Sequence, residues 1–386
     1  MIIVDRDYRD KILRWVATGG NSAVNQVGIA QAILQHFNGN AVSSPLISPR
    51  SHTVILWVVD GFGMNLWRAA LSRGIMSDKF ARKLPGRSVF PTTTAAGLAS
   101  LAFAAPPAVH GALGFSVYIK ALDQRVNLLS GKDERGLPVA PEVLYVPQPT
   151  IFNRLLELGI RSAVMSPEVY RASGFSQWIY RGAEYYGYDL DRPRDVVDLV
   201  MSSLEAGSRF VWIYWPYVDQ IAHAKGPTAP ETYEALALWD TVQGLLMERV
   251  RKREAVTIMV TADHGMTSLE IDKAIPRSDP RAASVWAKPW AGERRAITTQ
   301  MTVQGVSDLF GAAVRPYAQA DLWDRGWYGG PPANPEWRSR VLETLILTPS
   351  AVQFEQDGRD DEPLLRGGHG GTTVDEEAIP ILITSW

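Results

Sequence analysis

Three short, largely apolar runs constrain this chain more than anything else in it. They are Val54-Ile-Leu-Trp-Val-Val59, Arg209-Phe-Val-Trp-Ile-Tyr214 and Val256-Thr-Ile-Met-Val-Thr261. A strand that is apolar at successive rather than alternate positions is buried on both faces, which is the habit of parallel sheets. Weaker strand patterns fall at residues 161–165, 344–348 and 379–384, and apolar residues recur at helical spacing over 21–37, 151–158, 195–204 and 230–250. Strand and helix in alternation predict an α/β fold: a three-layer α/β/α sandwich with a mostly parallel central sheet and a small cap or insertion.

Two stretches break that alternation. Residues 116–148 are polar and irregular. Residues 272–340 carry Pro276, Pro280, Pro289, Pro331, Pro332 and Pro335, with Trp286, Trp290, Trp323 and Trp327 among them. The second stretch reads as an insertion or small cap over the sheet edge, inside a single catalytic domain spanning residues 1–386. Core packing is the favoured role for its tryptophans over stacking on a ligand.

Composition removes several classes of function. The formal net charge is −2, so there is no basic footprint for nucleic acid. There is no cysteine, which excludes disulfides, thiolate metal sites and Cys nucleophiles. Any metal must be held by His and carboxylates. The stretch from Met1 to Asp10 lacks the apolar segment of a secretory signal, and the longest apolar run is too short to cross a bilayer. The expectation is a soluble cytoplasmic protein with a small-molecule partner and no membrane.

Each of the three clear strands runs into an acidic residue. Asp60-Gly61 follows the first, Asp263-His264-Gly265 follows the third, and Asp219 lies shortly after the second. In open α/β sheets ligands bind beyond the carboxyl ends of the strands, so these carboxylates should converge on one edge. A lone Asp there is usually a cap or turn residue; two of these three have histidine partners.

Of six histidines, His264 adjoins Asp263 and His223 lies four residues after Asp219. His369 sits in Gly367-Gly-His-Gly-Gly371, where backbone can approach a ligand closely. His36 and His52 read as ordinary surface or loop residues. Imidazole with carboxylate suits zinc, and also manganese or iron. Pro91-Thr-Thr-Thr94 leads into the small-residue helix Ala95-Ala-Gly-Leu-Ala-Ser-Leu-Ala-Phe103. One of its hydroxyls would lie near a helix N-terminus that favours an anion, although an ordinary N-cap would use the same residue types.

Taken in order, these segments resemble the alkaline phosphatase superfamily, most closely its nucleotide pyrophosphatase/phosphodiesterase branch. The resemblance rests on Asp60-Gly61, Pro91-Thr-Thr-Thr94, His110-Gly111, Asp219-Gln-Ile-Ala-His223-Ala-Lys-Gly-Pro227, Asp263-His-Gly-Met266 and Gly368-His-Gly370. Each piece is weak alone, and the ordered set is strong.

The resemblance implies two divalent metal ions, zinc first. One is held by Asp219, His223 and His369, the other by Asp60, Asp263, His264 and the nucleophile. Its register against Pro91 and His110 places that nucleophile at Thr94 and leaves His110 structural. The implied reaction is hydrolysis of a phosphodiester or pyrophosphate bond in a small, nucleotide-like phosphate ester through a phospho-threonine intermediate. The chain departs from the branch at Phe115, where an asparagine is usual; Asn127 is a substitute amide, and Lys120 and Arg125 are candidate phosphate clamps. The same metal site also serves phosphomonoesterases, phosphonate hydrolases and phosphomutases, and a non-catalytic binding protein could keep the fold.

Overall fold

The computed structural model describes residues 24–39, 46–355 and 364–386. The charged stretch 1–10 and the predicted helical residues 21–23 lie outside them. Among the described residues sixteen strands, numbered along the chain, form four sheets. The largest holds β1 (Thr53–Val59), β2 (Arg82–Arg87), β6 (Ser162–Pro167), β7 (Glu184–Tyr188), β8 (Phe210–Trp215), β9 (Val256–Thr261) and β16 (Ala378–Ser385). Their order is β2-β16-β9-β1-β8-β6-β7, and only β16 runs against the rest.

The three apolar runs occupy the middle of this sheet, as strands buried on both faces should. Leu56, Val58, Trp212 and Tyr214 point to one side, where the helices Gln26–Phe37, Thr94–Phe103 and Ile151–Glu157 cover them. Ile55, Trp57, Ile213 and Trp215 point to the other, under the helices Met64–Ser72, Asp195–Glu205 and Pro230–Val250. The result is the expected α/β/α sandwich. The first described helix starts at Gln26 because Asn25 caps it, its side chain accepting from the Gly28 N–H.

Three smaller sheets fill the irregular stretches. β3 (Ser116–Ile119), β4 (Gln124–Asn127) and β5 (Lys132–Asp133) make an antiparallel meander. β11 (Trp290–Glu293), β12 (Ala296–Thr299), β13 (Arg315–Ala318) and β14 (Thr344–Leu347) make a four-stranded antiparallel sheet. One face of it has its own apolar cluster, including Ile297, Val306, Phe310, Ile346 and Phe354. From the other face Ala296, Leu345 and Leu347 join the main core. Trp323 is buried in that core, and Trp286 packs on Trp290 and Phe354 with centroids 4.5 and 5.8 Å apart. Finally β10 (Thr267–Ser268) pairs with β15 (Gly367–Gly368), drawing the chain's late glycine-rich loop onto the sheet edge.

The pattern at 344–348 therefore gives a strand of the four-stranded sheet rather than of the central one. β2, Arg-Lys-Leu-Pro-Gly-Arg, was not expected as a strand: it is an edge strand, half of its residues exposed, paired with β16 and bridged on its other side by Val24 alone. No described helix is long and apolar enough to cross a membrane.

Candidate active site

Sheet register brings the first two carboxylates together. Val58 of β1 pairs with Thr261 of β9, so two residues further on (58 + 2 and 261 + 2) Asp60 and Asp263 emerge side by side. The Asp60 N–H also extends the ladder to the Trp215 carbonyl of β8 at 2.9 Å. After β8 the chain turns at Pro216 into the helix Tyr217–Lys225, which carries Asp219 and His223 one turn apart on one face. Two glycines permit the crowding. Gly61 has φ +68, and a Cβ there would lie 3.1 Å from Asp219. A Cβ on Gly97 would lie 2.7 Å from the Asp263 Cβ, so the small-residue helix rests directly against the site.

The three consecutive threonines have three different tasks. Thr92 Oγ1 donates to the Gly371 carbonyl at 2.8 Å and accepts from the Gly370 N–H at 3.0 Å. Thr93 caps the helix Thr94–Phe103, accepting from the Ala96 N–H at 3.2 Å. Thr94 alone turns its hydroxyl to the cluster, 3.2 Å from His264 Nε2.

The histidines close the site. His264 Nε2 is 3.4 Å from Asp60 Oδ1 and 3.5 Å from Asp263 Oδ2. His223 Nε2 is 3.3 Å from Asp219 Oδ2 and 3.2 Å from His369 Nε2. The His264 and His369 rings stack with centroids 3.8 Å apart. All seven residues expected as ligands or nucleophile are thus brought to one place: Asp60, Thr94, Asp219, His223, Asp263, His264 and His369.

Each ring is aimed by main chain. Nδ1 of His223, His264 and His369 donates to the carbonyls of Gly367, Gly265 and Thr92 at 2.9, 3.0 and 3.0 Å. A carbonyl only accepts, so each Nδ1 carries a proton and each Nε2 faces the cluster. Buried among them, Asp60 Oδ1, Asp219 Oδ1 and Asp263 Oδ2 have no hydrogen-bond partner. Inward imidazole nitrogens and unpartnered carboxylate oxygens suit a cation, and buried unpartnered oxygens are what a protein otherwise avoids. Two sets have ligand atoms all within 4.8 Å of one another: Asp219 with His223 and His369, and Asp60 with Asp219 and His264. The donor set fits divalent metal ions of the zinc type.

Packed this closely, the buried groups shift one another's protonation. Burial, with Asp263 and Asp219 beside it, pushes the Asp60 carboxyl well above the ordinary range. Burial likewise pushes Asp263 up to about 6. Burial also opposes ionisation of Asp219, but His223, His369 and His264 outweigh it and hold that carboxyl below its usual range. Burial and the nearby His369 push His264 well below its ordinary value.

A sequence model of the type I phosphodiesterase/nucleotide pyrophosphatase family matches residues 54–297, more than half of the chain. The chain belongs to that family. With it comes the class of activity, metal-dependent hydrolysis of phosphodiester and pyrophosphate bonds. Solved structures share the fold. Murine ectonucleotide pyrophosphatase/phosphodiesterase 5 aligns at 17% identity and TM-score 0.64 over 85% of this chain and 87% of that one. The human protein of the same name aligns at 16% and 0.63 over 86% and 88%. An inactive variant of the murine protein, in complex with AMP, aligns at 16% and 0.64 over 86% and 87%. No curated protein sequence matches the chain.

Other residues expected near the site, or absent from expectation, have distinct places. His110 is buried, accepting from the Ala112 N–H and bonded to Ser100 Oγ. Asn127 uses its amide oxygen to accept from the Leu129 and Ser130 N–H groups. Lys120 is exposed, and Arg125 lies over the Trp290 ring at 3.6 Å. Sequence reading missed Tyr214, whose hydroxyl donates to Asp60 Oδ2. It also missed Gln26, fully buried, which donates to the Asp263 carbonyl at 2.6 Å. The inward side of β8 hints at Tyr214; a buried Gln on an amphipathic helix face is the trace of the other.

Proposed function

We propose that this family member is a two-metal phosphoryl-transfer hydrolase in which Thr94 is the nucleophile. Asp219, His223 and His369 would hold one divalent ion, zinc first and manganese or iron as alternatives. Asp60, Asp263, His264 and Thr94 would hold the other. When bound, the ions lower the pKa of a hydroxyl or water and neutralise charge on the phosphoryl oxygens.

The observation that carries this reading is the Thr94 hydroxyl, alone of three neighbours unengaged by the backbone and 3.2 Å from His264 Nε2. Standing at the first turn of its helix, it meets an anion where free N–H groups favour one. In the first step Thr94 gives its proton to solvent, the Oγ–P bond forms as the bond to the leaving oxygen breaks, and that oxygen leaves with the electron pair. In the second, the oxygen of water bonds to phosphorus, the P–Oγ bond breaks, and Thr94 regains its proton. Tyr214 holds Asp60 from behind by its hydroxyl, and Gln26 and Ser88 both donate to the Asp263 carbonyl, fixing two carboxylates before substrate arrives.

The substrate class is a small phosphodiester or pyrophosphate, nucleotide-like, a reading supported by the AMP bound to the murine structural relative. The catalytic domain is read as residues 1–386 with residues 272–340 as its cap; the packing of Ala296, Leu322 and Trp323 in the main core supports this. Rates on a p-nitrophenyl nucleotide diester and on p-nitrophenyl phosphate, with Zn²⁺ or Mn²⁺, test the assignment. Faster diester cleavage is expected; a clear preference for the monoester would overturn it.

A further inference from the structure

His369 stands on a loop that cannot hold itself. Its neighbours Gly367, Gly368, Gly370 and Gly371 offer no side chains, and their backbone freedom makes a fixed ring costly. Two residues at one hairpin turn supply what the loop lacks.

Glu293 ends β11, and its side chain is nearly buried. Its Oε2 lies 3.2 Å from His369 Nδ1, the same nitrogen that donates to the Thr92 carbonyl. Its Oε1 is buried with no hydrogen-bond partner. The approach is close enough that a Cβ on Gly370 would fall 2.3 Å from the Glu293 carboxyl carbon. Two residues on, Arg295 is 1% exposed and donates from Nε and Nη2 to Glu376 at 2.7 and 3.1 Å. Glu376 in turn accepts from the Gly371 and Thr373 N–H groups at 2.9 and 3.0 Å. Arg295 Nη1 meanwhile donates to the Pro349 and Val352 carbonyls, tying the four-stranded sheet to the same corner.

We propose that Glu293 and Arg295 are positioning residues for metal binding by Asp219, His223 and His369. Glu293, beside the Thr92 carbonyl, helps to fix the orientation of the His369 ring, and Arg295, through Glu376, fixes the loop that carries it. A carboxylate on the far nitrogen of a ligating imidazole also adds negative charge behind the metal, and such partners are worth about 10–100-fold in affinity. The inference rests on the two-metal reading above, and nothing in the family motifs marks either residue.

The test is calorimetric titration of the metal-free full-length chain with Zn²⁺. Wild type is expected to bind two equivalents. Glu293→Gln, nearly isosteric, is expected to weaken one equivalent by about 10–100-fold and leave the other within a factor of about two. Glu293→Asp, which keeps the charge on a shorter side chain, gives the same pattern with a smaller loss and serves if the Gln variant fails to fold. Two equivalents bound as tightly as in wild type would overturn the inference while leaving the two-metal reading intact. Equal weakening of both would overturn it too, since a general loss of packing does that. A wild-type chain binding fewer than two equivalents would overturn the two-metal reading and the inference with it.

Discussion

The site is assembled from two kinds of support. Asp60 and Asp263 project from the ends of adjacent parallel strands, and Asp219 follows the third, so their separation is set by the sheet's own hydrogen-bond ladder. Thr94 and His369 come from a turn and a glycine loop that hold one another: Thr92 bonds Gly370, Gly371 and His369, and the Glu293–Arg295 hairpin turn grips the loop from behind. The first group is rigid because the core is. The second is rigid only as long as a few buried polar contacts hold. Strand-end residues should therefore tolerate changes around them, whereas loop-borne residues should be lost when a distant partner is lost.

The sharpest way to break this comparison is at the threonines. Thr94→Ala should lower turnover of a nucleotide diester by about 10³-fold or more, as nucleophile removal does, with the melting temperature little changed. Thr93→Ala, one residue away, should keep turnover near wild type and cost about 1 kcal/mol of stability through its lost cap. Steady-state kinetics beside thermal melts would show it; full activity in the Thr94 variant would end its assignment as nucleophile.

Next is the buried pair behind the loop. Arg295→Met leaves Glu376 buried without its cation, at a cost of about 3–5 kcal/mol in urea unfolding. If the comparison is right, activity should fall even at temperatures where the variant remains folded. A destabilised variant with undiminished turnover would show that the loop does not depend on this pair.

The smallest effect concerns pH and a residue outside the site. Burial, with Arg340 nearby, pushes the His110 imidazole down to about 3 from its ordinary 6.5. The folded protein therefore keeps it neutral while the unfolded chain takes up a proton below about 6.5. Its contribution to stability is full above that pH and is lost as pH falls toward 3, by about 1.4 kcal/mol per pH unit. Unfolding midpoints of wild type and His110→Gln at pH 7, 6 and 5 should diverge in slope by that amount; parallel curves would remove His110 from the acid sensitivity of the fold.

How much of this was legible in the sequence follows the same division. The central strands could be read because burial on both faces leaves an unbroken apolar signature, and the carboxylates could be read because they sit where such strands end. β2 could not, since an exposed edge strand needs no apolar pattern and Arg-Lys-Leu-Pro-Gly-Arg has none. Nor could residue types alone choose among Thr92, Thr93 and Thr94; only the motif register favoured Thr94, because Thr93 caps its own helix at Ala96 while the partners of Thr92 and Thr94, Gly371 and His264, lie far away in the chain. Glu293 was invisible for the same reason. Its partner is 76 residues away (369 − 293), and one acid in a short antiparallel strand carries no local mark.

One consequence of the ring geometry reaches further. The three imidazoles lean on the carbonyl oxygens of Gly367, Gly265 and Thr92, atoms present whatever side chain a residue bears. Drift in neighbouring side chains leaves those anchors in place. Side chains around the rings, Glu293 among them, can tune how tightly an ion is held, but redirecting the rings themselves would require bending the chain.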